Sequence, residues 1–481
     1  MTERNMTRRD FIGTGSALGA GALLAGSPLG FAMGGAGKKR LVLVGTGVRG
    51  TSFWGQFIKQ NYDDVAEFVG LCDINPGRLE FAKSYIGVPD CPTFTNFDEM
   101  LVTSKPDLVM VVTVDNTHDE FIVKALNAGI NVVTEKPMTT TADKCQSIVN
   151  AARSSSARLI MGFNYRYGSV FTKLREMLTA GSIGEVTSVD FNWYLNNYHG
   201  ASYFRRWHGI REQGGTLLLH KAAHHFDLLN WWIGSDPVEV HAFGDLEHYG
   251  HNNAFRSDRC TECPHKEKCS YYWDISQDPM LVNLYTANEH HDGYIRDGCV
   301  FRPEIDIFDK MAVQIKYANN VQVAYSLTTY SPYEGFRLAF NGREGRLETW
   351  EGVPSLMQEQ EDQARIYEKE MDHGAHAKAE LSYHEIIRQL NFGEFELIKH
   401  PFVRKGHWGG DHIIMDEILR DKIANPDLHQ GADYRDGAMA VLIGIAARQS
   451  IDDFGEDDVD DALSLAVIEM RIGCGNLLYQ L

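Results

Sequence analysis

A glycine-rich segment followed by a distant carboxylate is the first feature of the sequence that could do chemistry. Residues 45–50 read Gly-Thr-Gly-Val-Arg-Gly and directly follow an apolar run at residues 41–44. Between a strand and a helix, such glycines let the backbone approach a pyrophosphate, whose charge the N-terminus of the helix stabilises. Asp73 ends the next apolar run, where a carboxylate binds an adenosine ribose and repels a 2′-phosphate. The pattern predicts a site for NAD rather than NADP, held by Gly45, Gly47, Val48, Arg49, Gly50 and Asp73.

Three basic side chains could perform acid–base chemistry. Lys136 follows a predicted strand at residues 130–134, and open α/β sheets bind ligands at the carboxyl ends of their strands. His220 and His224 are four residues apart on a predicted helix and share one face of it. Oxidation of a secondary alcohol needs a general base at the hydroxyl and a positive group near the developing alkoxide. We therefore expect Lys136 to stabilise the alkoxide and His224 to act as the base, with His220 assisting.

The same three residues have structural alternatives. Lys136 could be an exposed lysine at a strand end, and the histidines could pack the helix with internal hydrogen bonds. A histidine pair at this spacing could also bind a metal ion, but the glutamate of a His-Glu-x-x-His motif is absent.

Taken together, these motifs resemble one oxidoreductase family. The segment Gly45 to Gly50, Asp73, the triplet Glu135-Lys136-Pro137 and the histidine segment at residues 220–227 are similar to the Gfo/Idh/MocA family of glucose-fructose oxidoreductase and inositol dehydrogenase. The resemblance covers nearly the whole chain after residue 35. It implies NAD(P)-linked sugar chemistry, a motif lysine beside the nicotinamide and, in many members, a cis bond before Pro137.

The resemblance implies further site residues and one departure. The family pattern of Asp, His and Asp maps onto His220, His224 and Asp227, so His220 stands where an aspartate is expected. An imidazole that titrates near neutrality replaces an anion there, which leaves open how Lys136 is held and how the base is tuned. The family also lines the nicotinamide side of the cleft at positions that match Asn116 and His118, with Glu135 and Lys136 beside them. Its Asn-xx-Arg segment is similar to residues 164–166, which places Asn164 and Arg166 near the substrate.

Other residues are candidates for substrate contact. Aromatic, amide and guanidinium side chains crowd residues 193–207, a mixture that suits the apolar face and the hydroxyls of a sugar but equally suits core or dimer packing. His407 precedes Gly409, Gly410 and Asp411 at the entrance of a predicted helix. The remaining substrate candidates are Tyr194, Trp207, Lys221, Asp227 and His407.

Two domains must position these residues. Residues 38–162 alternate predicted strands and helices, which indicates a Rossmann domain with a parallel sheet. Residues 163–481 carry β-branched and aromatic runs separated by turn residues, which indicates an α+β substrate domain with an open, mainly antiparallel sheet and C-terminal helices. One face of such a sheet would be free for substrate or a second subunit, so a homo-oligomer is expected.

The net charge and residues 1–35 indicate which binding partners and which cellular location to expect. The 481 residues carry a formal charge of -19 without a basic patch, which argues against nucleic-acid binding. Residues 1–35 contain Arg8-Arg9 ahead of a glycine-rich, weakly apolar run, which resembles a cleavable twin-arginine export signal rather than a permanent membrane anchor. We therefore expect a periplasmic protein.

Four of the eight cysteines are clustered. Cys260, Cys263 and Cys269 lie close together in sequence, and Cys299 follows in a Gly-Cys-Val segment. Four thiolates can surround zinc tetrahedrally, and a chain that folds before export can load metal in the cytoplasm. A structural zinc site is expected, with disulfides, an iron–sulfur cluster and free thiols as alternatives.

The sequence thus predicts an exported, NAD-dependent oxidoreductase that acts on a secondary hydroxyl of a sugar or glycoside. Because the periplasm offers no NAD pool, the cofactor should be tightly retained and recycled within one catalytic cycle. The same residues would serve an NAD-dependent glycoside hydrolase that oxidises the sugar transiently, eliminates the aglycone and reduces the sugar again. A sugar or NAD sensor is a third reading, against which Lys136 and His224 argue.

Overall fold

The computed structural model describes residues 37–352, 362–371, 380–404 and 407–453. The predicted export signal at residues 1–35 lies outside the described residues. Within them, no helix is long and apolar enough to cross a membrane. The described chain forms two sheets, and the residues of the predicted site lie mainly where the domains that carry these sheets meet.

The first domain is built on a six-stranded parallel sheet in the order β3-β2-β1-β4-β5-β6. Its central strands β1 and β4 are apolar and buried at residues 41–44 and 108–111, as crossover helices on both faces require. The strands are β1 (Lys39–Val44), β2 (Ala66–Cys72), β3 (Thr93–Phe94), β4 (Leu108–Val111), β5 (Asn131–Thr134) and β6 (Leu159–Met161).

Helices connect these strands in the order expected of a Rossmann domain. The helix after β1 begins with a π-helical stretch and continues as a short α-helix, and two further helices begin at Asn75 and Asn96, whose side chains accept a backbone N–H. The helical segments are Gly50–Phe57, Ile58–Tyr62, Pro76–Ile86, Phe97–Ser104, His118–Asn127 and Ala142–Ser154.

The second domain contains an eight-stranded sheet in the order β14-β13-β12-β11-β7-β10-β9-β8. Every neighbouring pair is antiparallel except β7 and β10, which are parallel. The strands are β7 (Val186–Asn196), β8 (Pro237–Asp245), β9 (Lys310–Tyr317), β10 (Gln322–Ser331), β11 (Gly335–Gly342), β12 (Gly345–Glu351), β13 (Glu380–Leu390) and β14 (Phe395–Arg404). The two sheets confirm the predicted fold class.

Buried helices lie between the second sheet and the first domain. The helix Ala222–Ile233 packs on Tyr434–Asp453, and the second helix is buried along most of its length because it also contacts β8. The other helices of this domain are Ser169–Thr179, Asn197–Arg205, Arg211–Gly214, Leu217–His220, Pro279–Leu284, Gln363–Met371 and Gly410–Arg420.

A long excursion at residues 246–309, which we name the crossing segment, leaves the second sheet between the adjacent strands β8 and β9. It reaches the first domain and forms a small apolar cluster there. Leu281, Leu284 and Tyr285 are buried in this cluster, and Val48 and Phe81 of the first domain pack against it. The crossing segment therefore lies over the glycine-rich loop.

Candidate active site

The glycine-rich loop leaves no room for side chains at two of its glycines. Gly45 has φ +93°, and a Cβ there would lie 2.4 Å from the carbonyl oxygen of Val112. A Cβ on Gly50 would lie 2.0 Å from the carbonyl oxygen of Gly45, which explains why the helix can start so close to β1. This tight turn at the end of β1 is the cradle that a dinucleotide pyrophosphate requires, so the residues fit NAD.

Asp73 is held firmly at the end of β2. Its Oδ2 accepts hydrogen bonds from the backbone N–H of Thr46 at 2.8 Å and from the Thr46 hydroxyl at 3.0 Å. Its Oδ1 accepts from the Asn75 N–H at 2.9 Å and from the Arg78 guanidinium at 3.2 Å. The carboxylate therefore sits over the loop, where a ribose hydroxyl would join these donors.

The crossing segment contacts the same loop. The N–H of Val48 donates to the Tyr285 hydroxyl at 2.8 Å, and the Asn75 amide donates to the Asn288 carbonyl at 2.8 Å. Arg78 also donates to the carboxylate of Asp292. The predicted nucleotide site is thus covered by a segment of the other domain.

Glu135 fixes the start of the lysine motif. Its Oε1 accepts from Arg49 Nε at 2.6 Å and from the Trp54 indole at 2.9 Å. Burial raises the pKa of this carboxyl, but the charges of Arg49 and Lys136 and the indole hydrogen bond outweigh it and lower the pKa to about 2. The Lys136–Pro137 peptide bond is cis, as the resemblance implied.

Lys136 is held by His220, and His220 is held by a carboxylate. Lys136 Nζ lies 3.2 Å from His220 Nε2 and 3.0 Å from the His220 carbonyl oxygen. His220 Nδ1 lies 2.6 Å from Asp115 Oδ2. Burial, and then the Lys136 charge, lower the pKa of His220 well below its usual range, so the ring is neutral. A neutral ring that donates from Nδ1 to Asp115 accepts from Lys136 at Nε2, which gives one consistent chain of hydrogen bonds.

This chain of hydrogen bonds explains how a histidine can replace the expected aspartate at position 220. The carboxyl group that the family pattern places at this position is found one imidazole further away, at Asp115, whose pKa burial raises well above its usual range. Asp115 begins the short helix that follows β4 at the carboxyl edge of the parallel sheet, so its position was a usable signal, although only its neighbour Asn116 was predicted.

His224 lies within electrostatic range of Lys136, and one of its ring nitrogens is buried without a partner among the described residues. Its ring stacks on Tyr165 at 4.1 Å between centroids, and its Nδ1 has no hydrogen-bond partner among the described residues. Burial, and then Lys136 and Lys221, lower the pKa of His224 well below its usual range. Lys221 Nζ donates to the Tyr165 hydroxyl at 3.1 Å. His224 is therefore a neutral imidazole that can accept a proton.

Three aromatic residues complete the surroundings of His220. The ring of His208 lies 4.2 Å from that of His220, and Trp207 stacks on His208. Tyr203 contacts both histidine rings, at 5.4 Å between centroids in each case. Of the predicted substrate residues, Trp207 therefore lies next to the hydrogen-bonded chain of Asp115, His220 and Lys136.

Three of the residues predicted to contact the substrate contact other protein side chains. Arg166 and Asp227 form a bidentate, almost fully buried ion pair at 2.6 and 2.9 Å, and Arg166 also pairs with Asp436. Tyr194 lies on the face of β7 opposite Trp193 and contacts Tyr333. These side chains are thus engaged in ion pairs or ring contacts within the protein.

Asn164 and His407 meet at a third carboxylate. Asn164 Nδ2 donates to Asp411 Oδ1 at 2.8 Å, and His407 Nδ1 lies 3.0 Å from Asp411 Oδ2. The His407 ring is 5.8 Å from Tyr165, on which His224 stacks. This pair borders the His224 side of the site.

The two residues predicted to line the nicotinamide side differ in exposure. His118 is fully buried, with its ring nitrogens 2.8 Å from the Pro137 carbonyl and 3.1 Å from the Thr113 carbonyl. Asn116 is half-buried, and its carbonyl accepts from Lys144. His118 therefore supports the loop that carries Lys136 and is not open to a ligand.

The predicted zinc site is not supported. Among the described residues, no group of three or more His, Cys, Asp or Glu side chains is arranged to hold a metal ion, and all seven described cysteines are free thiols. The sulfurs accept hydrogen bonds instead: Cys260 from Arg205 at 3.0 Å, Cys263 from the His265 N–H and Cys299 from the Phe301 N–H. Burial raises the pKa of Cys260, which disfavours the thiolate that zinc needs.

Comparison with known proteins matches both domains. Residues 39–163 match an oxidoreductase family with an NAD-binding Rossmann fold, and residues 175–453 match the C-terminal alpha/beta domain of that family. The chain is 34% identical over 437 residues to the putative oxidoreductase YteT of Bacillus subtilis, which covers 86% of this chain and 96% of the relative.

Solved structures share the fold. Levoglucosan dehydrogenase in complex with NADH and levoglucosan matches with a TM-score of 0.58 at 15% identity, over 86% of this chain and 98% of the other. The aldose-aldose oxidoreductase of Caulobacter crescentus complexed with glycerol matches with a TM-score of 0.55 at 15% identity, over the same shares of the two chains. With both domains matched in order and the lysine motif at the carboxyl edge of the parallel sheet, the chain belongs to the Gfo/Idh/MocA family of NAD-binding oxidoreductases.

Proposed function

We propose that this protein oxidises a secondary hydroxyl of a sugar or glycoside and retains its NAD tightly. The observation that carries the proposal is the chain Asp115–His220–Lys136, which ends beside the neutral ring of His224. A cation and a base next to each other at the carboxyl edge of a Rossmann sheet are what an alcohol oxidation needs.

Each residue has a defined part in the reaction. Bound NAD would supply the acceptor for the hydride. Lys136 Nζ has three N–H donors, two of which contact His220, so the third can bind the substrate oxygen and stabilise its developing negative charge. His224 can take the hydroxyl proton because burial and the nearby lysines keep its ring neutral. Asp115 and His220 hold Lys136 in place.

The pKa of Lys136 suits this role. Burial lowers it from its usual value, while Tyr203, Glu135 and Asp115 oppose that change. A lysine with a lowered pKa exchanges its proton more readily near neutral pH than an exposed lysine does. Lys136 can therefore pass a proton through His220 as well as stabilise charge.

Retention of NAD is supported by the crossing segment. Tyr285, Asn288 and Asp292 lie on the glycine-rich loop and on the residues that follow β2. A nucleotide bound beneath them could leave only if these contacts opened. This fits an enzyme that keeps one cofactor through many cycles, which an exported enzyme would need.

The glycosidase alternative gains no support. The relative and the solved structures described above are oxidoreductases or dehydrogenases by name, and no described side chain favours elimination over simple oxidation. Oxidation of the sugar is therefore the function we propose.

Location and assembly are part of the proposal. The twin-arginine segment at residues 1–35 supports export to the periplasm. The exposed apolar side chains Tyr383, Phe395 and Leu397 share one face of the paired strands β13 and β14, which supports a homo-oligomer.

Two measurements test the proposal. The purified protein is denatured and the released nucleotide is identified; NAD or NADH at close to one per chain is expected. The intact protein is then mixed with a panel of sugars and glycosides, and reduction of the bound NAD is followed in a single turnover. No released nucleotide, or release of an aglycone without a net redox change, would overturn the proposed function.

A further inference from the structure

Two arginines, the half-buried Arg206 and the buried Arg296, lie near the candidate catalytic residues with no acidic partner among the described residues. Arg206 follows the helix Asn197–Arg205, and Arg296 belongs to the crossing segment. Arg296 is only 6% exposed, and its Nε and Nη1 have no hydrogen-bond partner among the described residues. Within the described ranges, neither guanidinium forms an ion pair with a carboxylate. Buried N–H groups of a cation without acceptors are costly, so they point to a ligand that supplies the acceptors.

The pair is connected to the candidate catalytic residues through Tyr203. The Arg206 guanidinium lies 5.1 Å from the centre of the Tyr203 ring, and that ring lies 5.4 Å from His220. Burial, and then the charge of Arg296, lower the pKa of Arg206, as expected when two positive charges lie close together. Their charges also help to lower the pKa of His208. The Arg206 guanidinium therefore lies close to the residues that surround Lys136, with one aromatic ring between it and His220.

The neighbouring arginines behave differently. Arg302 donates to the carbonyl oxygens of Phe204, Cys299 and Arg206, and Arg205 donates to Cys260 and to the Tyr271 carbonyl. These two are satisfied by the protein and hold the crossing segment in place. Arg206 uses Nε for the Ser202 carbonyl and stacks on Tyr203, which leaves the rest of its guanidinium for a ligand.

We propose that Arg206 and Arg296 bind an oxyanion of the substrate, so that the sugar oxidised at Lys136 carries an acidic group such as the carboxylate of a uronic acid. This rests on the proposed function and adds the substrate class. In a chain with a formal charge of -19, two neighbouring guanidinium groups without a carboxylate partner make a locally positive site. A planar guanidinium binds a carboxylate with two parallel hydrogen bonds.

The pyrophosphate of the dinucleotide is the second source of an oxyanion. Arg296 lies 5.7 Å from the ring centre of Tyr285, whose hydroxyl contacts the glycine-rich loop. Arg206 instead contacts Tyr203 beside His220, which favours the substrate. The experiment must separate the two sources.

Binding is measured by calorimetry with matched probes: glucuronate against glucose, galacturonate against galactose, and inorganic sulfate against chloride at equal ionic strength. At least one uronate is expected to bind about 10-fold or more tightly than its neutral partner. Arg296→Gln and Arg206→Gln should each remove that preference, and Arg296→Lys should restore part of it. Arg256→Gln, at an exposed arginine of the same segment, is the control for the lost charge and should bind like the parent.

Four results would overturn the inference. Equal binding of acidic and neutral sugars by the parent would do so, as would an uronate preference that survives in both glutamine variants. Sulfate binding without any uronate preference, together with loss of bound NAD in Arg296→Gln, would assign the arginines to the pyrophosphate. Reduction of bound NAD by neutral sugars alone would refute the acidic substrate while leaving the proposed oxidation intact, whereas absence of bound NAD refutes the oxidation itself.

Discussion

The Tyr285 hydroxyl accepts a hydrogen bond from the Val48 N–H at 2.8 Å, across 237 positions of sequence. Val48 belongs to the loop that cradles the dinucleotide, and Tyr285 belongs to a segment of the other domain. Tyr285→Phe removes this contact, so NAD should dissociate faster by roughly 5- to 10-fold, about the value of one hydrogen bond. Exchange of bound NAD for a labelled or fluorescent analogue measures the rate.

The sign of this result is informative. If the tyrosine competes with the pyrophosphate for the Val48 N–H, then Tyr285→Phe will bind NAD more tightly, which would contradict a retaining role. Tyr294→Phe, at a neighbouring tyrosine that makes no contact with the loop backbone, serves as the control.

Lys136 and His224 should carry the chemistry. Lys136→Met removes the charge that stabilises the developing alkoxide, and we expect single-turnover reduction of bound NAD to slow on the order of 100-fold or more. His224→Ala should have a similar effect because it removes the base. Bound NAD should remain nearly unchanged in both variants. Reduction at the parent rate in both would show that the site is assigned wrongly.

The pH dependence follows from the lowered pKa values of His220 and His224. Burial and nearby lysines favour the neutral rings, so these groups gain protons only at a pH well below the usual histidine range. Because the neutral rings are the active forms, kcat/KM should hold as the pH falls through about 6.5 and decline only below it. An acid limb centred at or above that value would contradict the assignment.

Asp292 should help to exclude NADP. It shares Arg78 with Asp73, so the guanidinium beside the ribose site is already neutralised. Asp292→Asn frees part of that charge for a 2′-phosphate, and the ratio of bound NADP to bound NAD should rise about 10-fold. The ratio is measured by chromatography after loading with equal amounts of both nucleotides. Glu262→Gln, at an exposed position of the crossing segment, is the matched control and should leave the ratio unchanged.

Asp227 should contribute stability rather than catalysis. It forms a bidentate pair with Arg166 at a site where both side chains are almost fully buried. Asp227→Ala leaves Arg166 with Asp436 alone and should lower the free energy of unfolding by about 3 kcal/mol. Denaturant unfolding measures this loss. A large drop in turnover per folded molecule, with stability unchanged, would instead place Asp227 at the substrate.

Local patterns allowed part of this structure to be predicted. The turn from β1 into the glycine-rich loop, Asp73 at the end of β2 and Lys136 after β5 all follow from short segments in which strand, turn and helix signals are adjacent. The mainly antiparallel second sheet was likewise predictable from alternating apolar runs. These features depend on neighbours in sequence, and the structure has them.

Contacts between distant segments were not predictable. Asp115 and His220 are 105 positions apart, and no periodicity relates them. Arg166 and Asp227 match a family motif, yet their burial against Asp436 depends on how three helices pack. Clustered cysteines suggested zinc from spacing alone, but the sulfurs are directed toward arginine and backbone donors. In each case the three-dimensional surroundings, rather than the residue types, determine the role.

The crossing segment starts and ends in the second domain but is bound to the first domain between its ends. It begins and ends at one place, because Asp245 and Lys310 are paired across β8 and β9. Between those ends it is fastened to the opposite domain through Val48, Asn75 and Arg78. Any separation of the two domains would have to break these contacts, although neither sheet would need to deform. The contacts that join the domains are therefore the same ones that cover the proposed nucleotide site.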